Sequence, residues 1–334
     1  MVHLIKHSSE MNDNYYFKYL RFATFCPKRI NRFRFSRQRM HYSDISPSSS
    51  VSEITPDVRA ALIVAHPGHE LCVRGWLGLA RPQVFVLTDG SGRASQSRLT
   101  STTKVLSEAG AASGSVYGRL TDQAVYTALL THNYDLFIRL VEELAETFRR
   151  ERISYVAGDA IEGYNPTHDV CRLMIGAAVE VANRTGERRI ANFDFSLIGR
   201  QDHCPAELHA DAIWLHLDEN TLAQKLAAMR TYPELAAEVE AGLDGKLLAA
   251  MQAFPELAAE IQSVTSGLGI DAFRTECLRP VKNETWKEDV IKGSPFYERY
   301  GERQVAAGYY PHVIRYRDHF IPLAEAIWRW LETS

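Results

Sequence analysis

Short apolar runs separated by polar turns set the rhythm of the chain from residue 58 onward. Val58-Arg-Ala-Ala-Leu-Ile-Val-Ala65 is apolar at nearly every position, as expected of a strand buried on both faces of a parallel sheet, and it stops abruptly at His66. After His66-Pro-Gly-His-Glu70 the pattern predicts a helix reaching Ala80. Pro82 breaks it, and Val84-Phe-Val-Leu87 predicts a second strand ending in Thr88-Asp-Gly-Ser-Gly92. A helix near 101–109 follows. The next is longer, with Asn133 as its N-cap and Phe137, Leu140, Val141, Leu144 and Phe148 on its core face. Ile153-Ser-Tyr-Val-Ala157 is the next strand, and Val170, Leu173, Met174, Ala177, Ala178 and Val181 then recur at helical spacing from a start near His168. Segments 190–198 and 212–217 read as two more strands, residues from Asp218 onward as helical, and 321–331 as a closing amphipathic helix. Strands alternating with helices predict an α/β protein with a mostly parallel sheet.

This rhythm is absent from the front of the chain. Residues 1–39 hold nine Lys and Arg against two acids, which leaves −10 on residues 40–334 of a protein whose net charge is −3. With no apolar core segment of a signal peptide, residues 1–55 read as a disordered or transit-like basic extension and linker, or as sequence ahead of a true start at Met40. The rest divides into a core at 56–217 and a helical, capping region at 218–334 packed on the same domain. That region contains one internal echo, Tyr232-Pro-Glu-Leu-Ala-Ala-Glu-Val239 and Phe254-Pro-Glu-Leu-Ala-Ala-Glu-Ile261, which reads as two helices with similar starts and no chemistry.

Composition narrows the function classes. At 46% hydrophobic and 24% charged residues the chain is globular, and its near-neutral balance argues against nucleic acid or an anionic membrane as partner. No run approaches the roughly 18–20 apolar residues of a membrane span. Five scattered cysteines without a Cys-x-x-Cys pair fit a reducing, cytoplasmic setting rather than a disulfide framework.

Ligands of open α/β sheets bind beyond the carboxyl ends of the strands, and three polar clusters fall at such ends. They are His66, His69 and Glu70 after the first strand, Asp89 after the second, and Asp159, Glu162, Asn165, His168 and Asp169 after the strand at Ile153. His66, His69 and His168 would supply three imidazoles, the donor number of a catalytic zinc site that keeps a position open for water.

Taken in order, Ala65-His-Pro-Gly-His-Glu70, Leu87-Thr-Asp-Gly90 and Tyr164-Asn-Pro-Thr-His-Asp169 resemble the PIG-L/LmbE-like family of N-acetylglucosaminyl de-N-acetylases over about 58–217. The resemblance implies a Rossmann-like three-layer α/β fold and a divalent metal, usually zinc, held by Ala-His-Pro-Asp-Asp-Glu and a later His-rich motif. His66, His69 and His168 then match the three ligand positions, with histidine at 69 in place of aspartate. Gly68 occupies the place of the family's general base, so Asp89, Glu70 or Asp169 is expected to take over proton transfer. Asn165 stands where a histidine helps stabilise the tetrahedral intermediate, and Arg98 and Asp122 lie near sugar-contacting positions. The implied activity is metal-dependent removal of an N-acyl group from an amino sugar or glycoconjugate, so the expected partner is a small molecule or glycan. Two alternatives remain open: a degenerate metal- or sugar-binding member of that family, and a nucleotidyltransferase, because His66-Pro-Gly-His69 also matches an His-x-Gly-His motif.

Overall fold

The structure, a computed structural model, describes residues 41–42, 52–53, 58–92, 96–186, 188–233, 270–281, 291 and 293–333. The basic extension, most of the linker and nearly all of the Tyr-Pro-Glu and Phe-Pro-Glu echo therefore lie outside the described residues. His41–Tyr42 and Ser52–Glu53 pair with each other antiparallel.

Seven strands form the main sheet: β1 Arg59–Val64, β2 Gln83–Thr88, β3 Ala112–Leu120, β4 Ile153–Asp159, β5 Ala191–Phe195, β6 Ile213–His216 and β7 Thr275–Pro280. Their spatial order is β3-β2-β1-β4-β5-β7-β6. The first five are parallel, and β7 runs antiparallel to both β5 and β6. Among the described residues the α-helices are α1 Arg74–Ala80, α2 Leu99–Ala109, α3 Asp122–Leu130, α4 Tyr134–Arg150, α5 Pro166–Thr185, α6 Glu219–Arg230, α7 Phe296–Ala306 and α8 Ile321–Thr333. This is an α/β three-layer fold with a helical C-terminal part, as expected. None of the helices among the described residues is long and apolar enough to cross a membrane.

The central strands are the ones written as apolar runs, because both of their faces are covered. β1 and β4 are almost wholly buried, and Gly158 lets them approach α5: a Cβ there would meet the Ile63 carbonyl at 2.6 Å and Ile175 at 2.4 Å. The face of α4 is Phe137, Leu140, Val141, Leu144 and Phe148, as its spacing predicts. On α5, Val170, Leu173, Met174, Ala177 and Ala178 are buried, whereas Val181 is only partly so and Ala182 takes the inner position. Asn133 stands at the N-cap of α4 without a side-chain capping bond. The helix expected before Ala80 begins as a 3-10 turn, His69–Val73, and becomes α-helical at Arg74.

Two strands carried no signal. β3 is an edge strand whose fully buried residue is Val116, so it shows neither an apolar run nor alternation. β7 buries a charged residue, Glu276, among its apolar ones. Glu276 is held for a purpose visible in the fold. Its carboxylate accepts the N–H groups of Gly75 and Trp76, both at 2.8 Å, at the start of α1, and also the ammonium of Lys225 on α6 at 2.8 Å. Lys225 in turn donates to the Cys72 carbonyl at 2.8 Å and to Gln201 Oε1. The segment that follows the histidine pair is thus anchored from behind by β7 and α6.

Candidate functional site

Strand order decides where the polar strand ends meet. The chain moves outward from β1 through β2 to β3, then crosses to β4 on the other side of β1, so the crevice at the carboxyl ends of β1 and β4 is a topological switch point. His66 and His69 leave β1 there through a tight turn at Pro67 and Gly68. Gly68 has φ 107° and ψ −22°, a conformation that residues with a side chain rarely adopt, and its N–H is bound by Glu70 Oε2 at 2.8 Å. Glycine at 68 is a demand of this turn. The third histidine arrives on α5, whose N-cap is Asn165: Oδ1 accepts the Thr167 N–H at 2.8 Å, and Pro166 supports the first turn.

The structure brings His66, His69 and His168 together. Ring centroids are 5.3 Å apart for His66 and His69, 5.1 Å for His66 and His168, and 4.5 Å for His69 and His168. Two of the rings are oriented from behind. His66 Nδ1 lies 2.8 Å from Thr88 Oγ1, whose own proton goes to the Ala65 carbonyl, so Nδ1 donates. Asp122 Oδ1 is 2.9 Å from the same nitrogen but off its N–H axis, adding charge rather than a second hydrogen bond. The lone pair of His66 is therefore on Nε2, which is buried and has no partner. His69 Nδ1 meets Asp159 Oδ2 at 2.9 Å, the same oxygen that accepts the Ala65 N–H at 2.7 Å. Nδ1 of His168 is buried and unpartnered.

Burial dominates the electrostatics. It pushes His69 and His168 well below the ordinary histidine range, and the neighbouring histidines and Arg98 push the same way, so both rings are uncharged at neutral pH. Burial also raises Asp159 to about 7 and Asp169 to about 8. At Asp122 burial is outweighed by His66, Thr88 and the Gly92 N–H, which hold this carboxyl well below the usual range.

The remaining candidates divide by what they touch. Asp89 Oδ1 accepts both the N–H and the hydroxyl of Ser91, at 3.0 and 2.6 Å, closing the turn after β2. Glu70 is fully buried, with its oxygens on Gly68 N–H and on the Tyr232 hydroxyl. Asp169 Oδ1 accepts the N–H groups of Glu162 and Gly163 at 3.1 and 3.2 Å, holding the loop before α5. Asn165 spends its oxygen on the helix cap. Arg98 donates from Nε to the Gly90 carbonyl at 2.7 Å, while its charge reaches His69 and His168. The spacing of residues did not single out Thr88 and Asp159 as orienting groups. The available signal was their position: each ends a strand that pairs with β1.

These residues suit a divalent metal in their chemistry. Imidazoles around a tetrahedral zinc, with Zn–N near about 2.0–2.1 Å, have ring centres roughly 5 Å apart, and metal-bound histidines commonly give their other nitrogen to a carboxylate or similar acceptor. Among the described residues, however, no group of three or more His, Cys, Asp or Glu side chains is set to hold an ion as it stands. The three rings touch edge to face.

Comparison with known proteins leaves the family open. No family model matches the sequence, and no curated protein matches it. Solved structures do match. The A40926 pseudoaglycone deacetylase Dbv21 is 20% identical, over 68% of this chain and 98% of that one, with a TM-score of 0.43. The zinc-inhibited form of teicoplanin deacetylase Orf2 is 13% identical, over 67% of this chain and 97% of that one, with a TM-score of 0.42. A deacetylase–bog complex from teicoplanin biosynthesis is 14% identical, over 67% and 97%, with a TM-score of 0.41.

Proposed function

We propose that this protein is a metal-dependent hydrolase that removes an N-acyl group from an amino-sugar-containing molecule, with His66, His69 and His168 holding a divalent metal, zinc by choice of donors. The observation that carries this reading is the meeting of three imidazoles, two from the exit of β1 and one from the start of α5, at the switch point, with buried unpartnered nitrogens and with Thr88 and Asp159 behind two of the rings. When bound, such a metal supplies a Lewis acid and lowers the pKa of its water toward neutrality.

The chain's own residues supply the rest. Thr88 fixes the tautomer of His66, with the charge of Asp122 beside the same nitrogen, and Asp159 fixes that of His69, so that in both rings Nε2 is the nitrogen with the free lone pair. Arg98 contributes the positive charge that faces developing negative charge on a substrate oxygen. With glycine at 68, proton transfer falls to a carboxyl group near the rings. Asp122 is the choice by position, because its buried Oδ1 lies against His66 with no hydrogen-bond partner, whereas Oδ1 of Asp89, Oδ1 of Asp169 and both oxygens of Glu70 are already hydrogen-bonded. Asn165 positions the start of α5 and thereby His168.

A second reading, metal or sugar binding without turnover, is favoured by the backbone at Gly68, which leaves no carboxylate at that place. Purified full-length protein would be assayed for bound metal and for acetate release from N-acetylated amino sugars, beside His66→Ala and His168→Ala. Stoichiometric metal lost in both variants, with acetate release abolished by a chelator, is the expected result. Metal without acetate release would leave the binding reading. A protein that cannot be loaded with zinc, and that instead releases pyrophosphate from a nucleoside triphosphate, would replace both with the nucleotidyltransferase.

A further inference from the structure

Tyr232 is the first residue of the Tyr-Pro-Glu-Leu-Ala-Ala-Glu motif, which carried no chemistry as a sequence pattern. Directly after α6 the structure buries it completely, and its hydroxyl meets two partners from distant parts of the chain. One is Glu70 Oε1, in a short contact, and the other is Thr102 Oγ1 on α2 at 2.8 Å. The second oxygen of Glu70 holds the Gly68 N–H at 2.8 Å. A single hydroxyl therefore ties the end of α6 and the body of α2, through one carboxylate, to the left-handed turn between His66 and His69.

The physical weight of this tie follows from its surroundings. Glu70, Thr102 and Tyr232 all have no exposed surface, so no water can replace a lost partner, and a buried group left unpaired bears the full cost of its desolvation. Gly68 is otherwise the softest point of the loop, since glycine populates several backbone regions about equally. Glu70 restrains it only while its own oxygen is fixed. A second anchor acts further along the same segment, where Lys225 of α6 binds the Cys72 carbonyl, so α6 and its end brace residues 68–72 at two points.

We propose that Tyr232 is a positioning residue for the histidine site: through Glu70 and Gly68 it sets the direction in which His69 leaves the turn, and so the convergence of His69 on His66 and His168. This rests on the metal-site reading for its functional meaning, but not for its test. Full-length protein and Tyr232→Phe, which removes only the oxygen, would be compared by amide hydrogen exchange and by titration with zinc or cobalt(II) alone. Ile327→Val, a core truncation on α8, serves as control for general loss of stability. Exchange in peptides spanning 66–73 should quicken about tenfold in Tyr232→Phe, with protection of β1, β4 and α5 retained. Affinity for the metal should fall about 10- to 100-fold, with an altered cobalt absorption spectrum. Ile327→Val should show neither local change. If Tyr232→Phe does not fold, Glu70→Gln, which replaces one of the two acceptor oxygens in the same chain of contacts by a donor, carries the same expectation for exchange at 66–73. Unchanged exchange at 66–73, or loosening spread evenly over the protein as in the control, would overturn the proposal. Failure of the parent protein to bind either metal would sink the metal site instead, and the exchange result would still decide the role of Tyr232.

Discussion

Replacing Lys225 by methionine tests a fully buried ion pair. Lys225 and Glu276 are 0% and 1% exposed, and the ammonium has three acceptors: Glu276 Oε1 and the Cys72 carbonyl at 2.8 Å, and Gln201 Oε1. Methionine fills much of the same volume but leaves the Glu276 carboxylate buried with only the N–H groups of Gly75 and Trp76. Removing one partner of a buried ion pair costs about 3–5 kcal/mol, because the remaining charge stays uncompensated. For a chain of this size each kcal/mol moves the melting temperature by about 2–4 °C, so the loss should be roughly 10 °C. Adding Glu276→Gln removes the stranded charge while keeping an acceptor for α1. The double variant should therefore recover about 1–3 kcal/mol relative to Lys225→Met, as expected of residues in direct contact. Urea unfolding followed by circular dichroism, run as a double-mutant cycle, measures all three differences. A loss below about 1 kcal/mol for Lys225→Met, or two single effects that simply add, would show that water reaches the pair and that the buried-charge reasoning is wrong.

Two further outcomes follow from the site and its loops. Gly68→Ala and Gly68→Asp should each cost about 1–3 kcal/mol, because the φ of 107° is strained for any side chain, and Gly68→Asp should not raise hydrolytic turnover even though it restores a carboxylate. A gain in turnover with undiminished stability would refute this account of the turn. Glu162 accepts the Ser196 hydroxyl at 2.7 Å and is raised by burial from 4.5 to about 7, so the folded state holds its proton more tightly than the unfolded chain. That contribution is fully present below pH 4.5 and is lost as pH rises through 7. It amounts to at most about 3 kcal/mol, less because the side chain is partly open to solvent. Glu162→Gln should flatten this part of the stability–pH curve in metal-free protein, and an unchanged curve in thermal melts from pH 4 to 8 would exclude it.

The sequence alone determined the elements whose burial follows a simple pattern. β1, β2 and β4 were legible as apolar runs, because a strand packed on both faces leaves no room for polar residues, and α4 and α5 as periodic faces, because the side that packs on the sheet recurs at helical spacing. The three histidines were legible as well, since nothing about a buried strand explains a polar pair at its exit. Tertiary structure alone decided β3 and β7, whose signals are diluted by an exposed edge and by a buried Glu276 with its own partner. It also decided which groups stand beside the histidines and Glu70. That Asp159 rather than Asp169 stands behind His69, that Thr88 and Asp122 share His66, and that Tyr232 holds Glu70 depend on the order β3-β2-β1-β4 and on the packing of α6. A hydrogen bond between residues as distant in sequence as His69 and Asp159 leaves no periodic trace, because its geometry comes from the strands that carry the two ends and not from the chain between them.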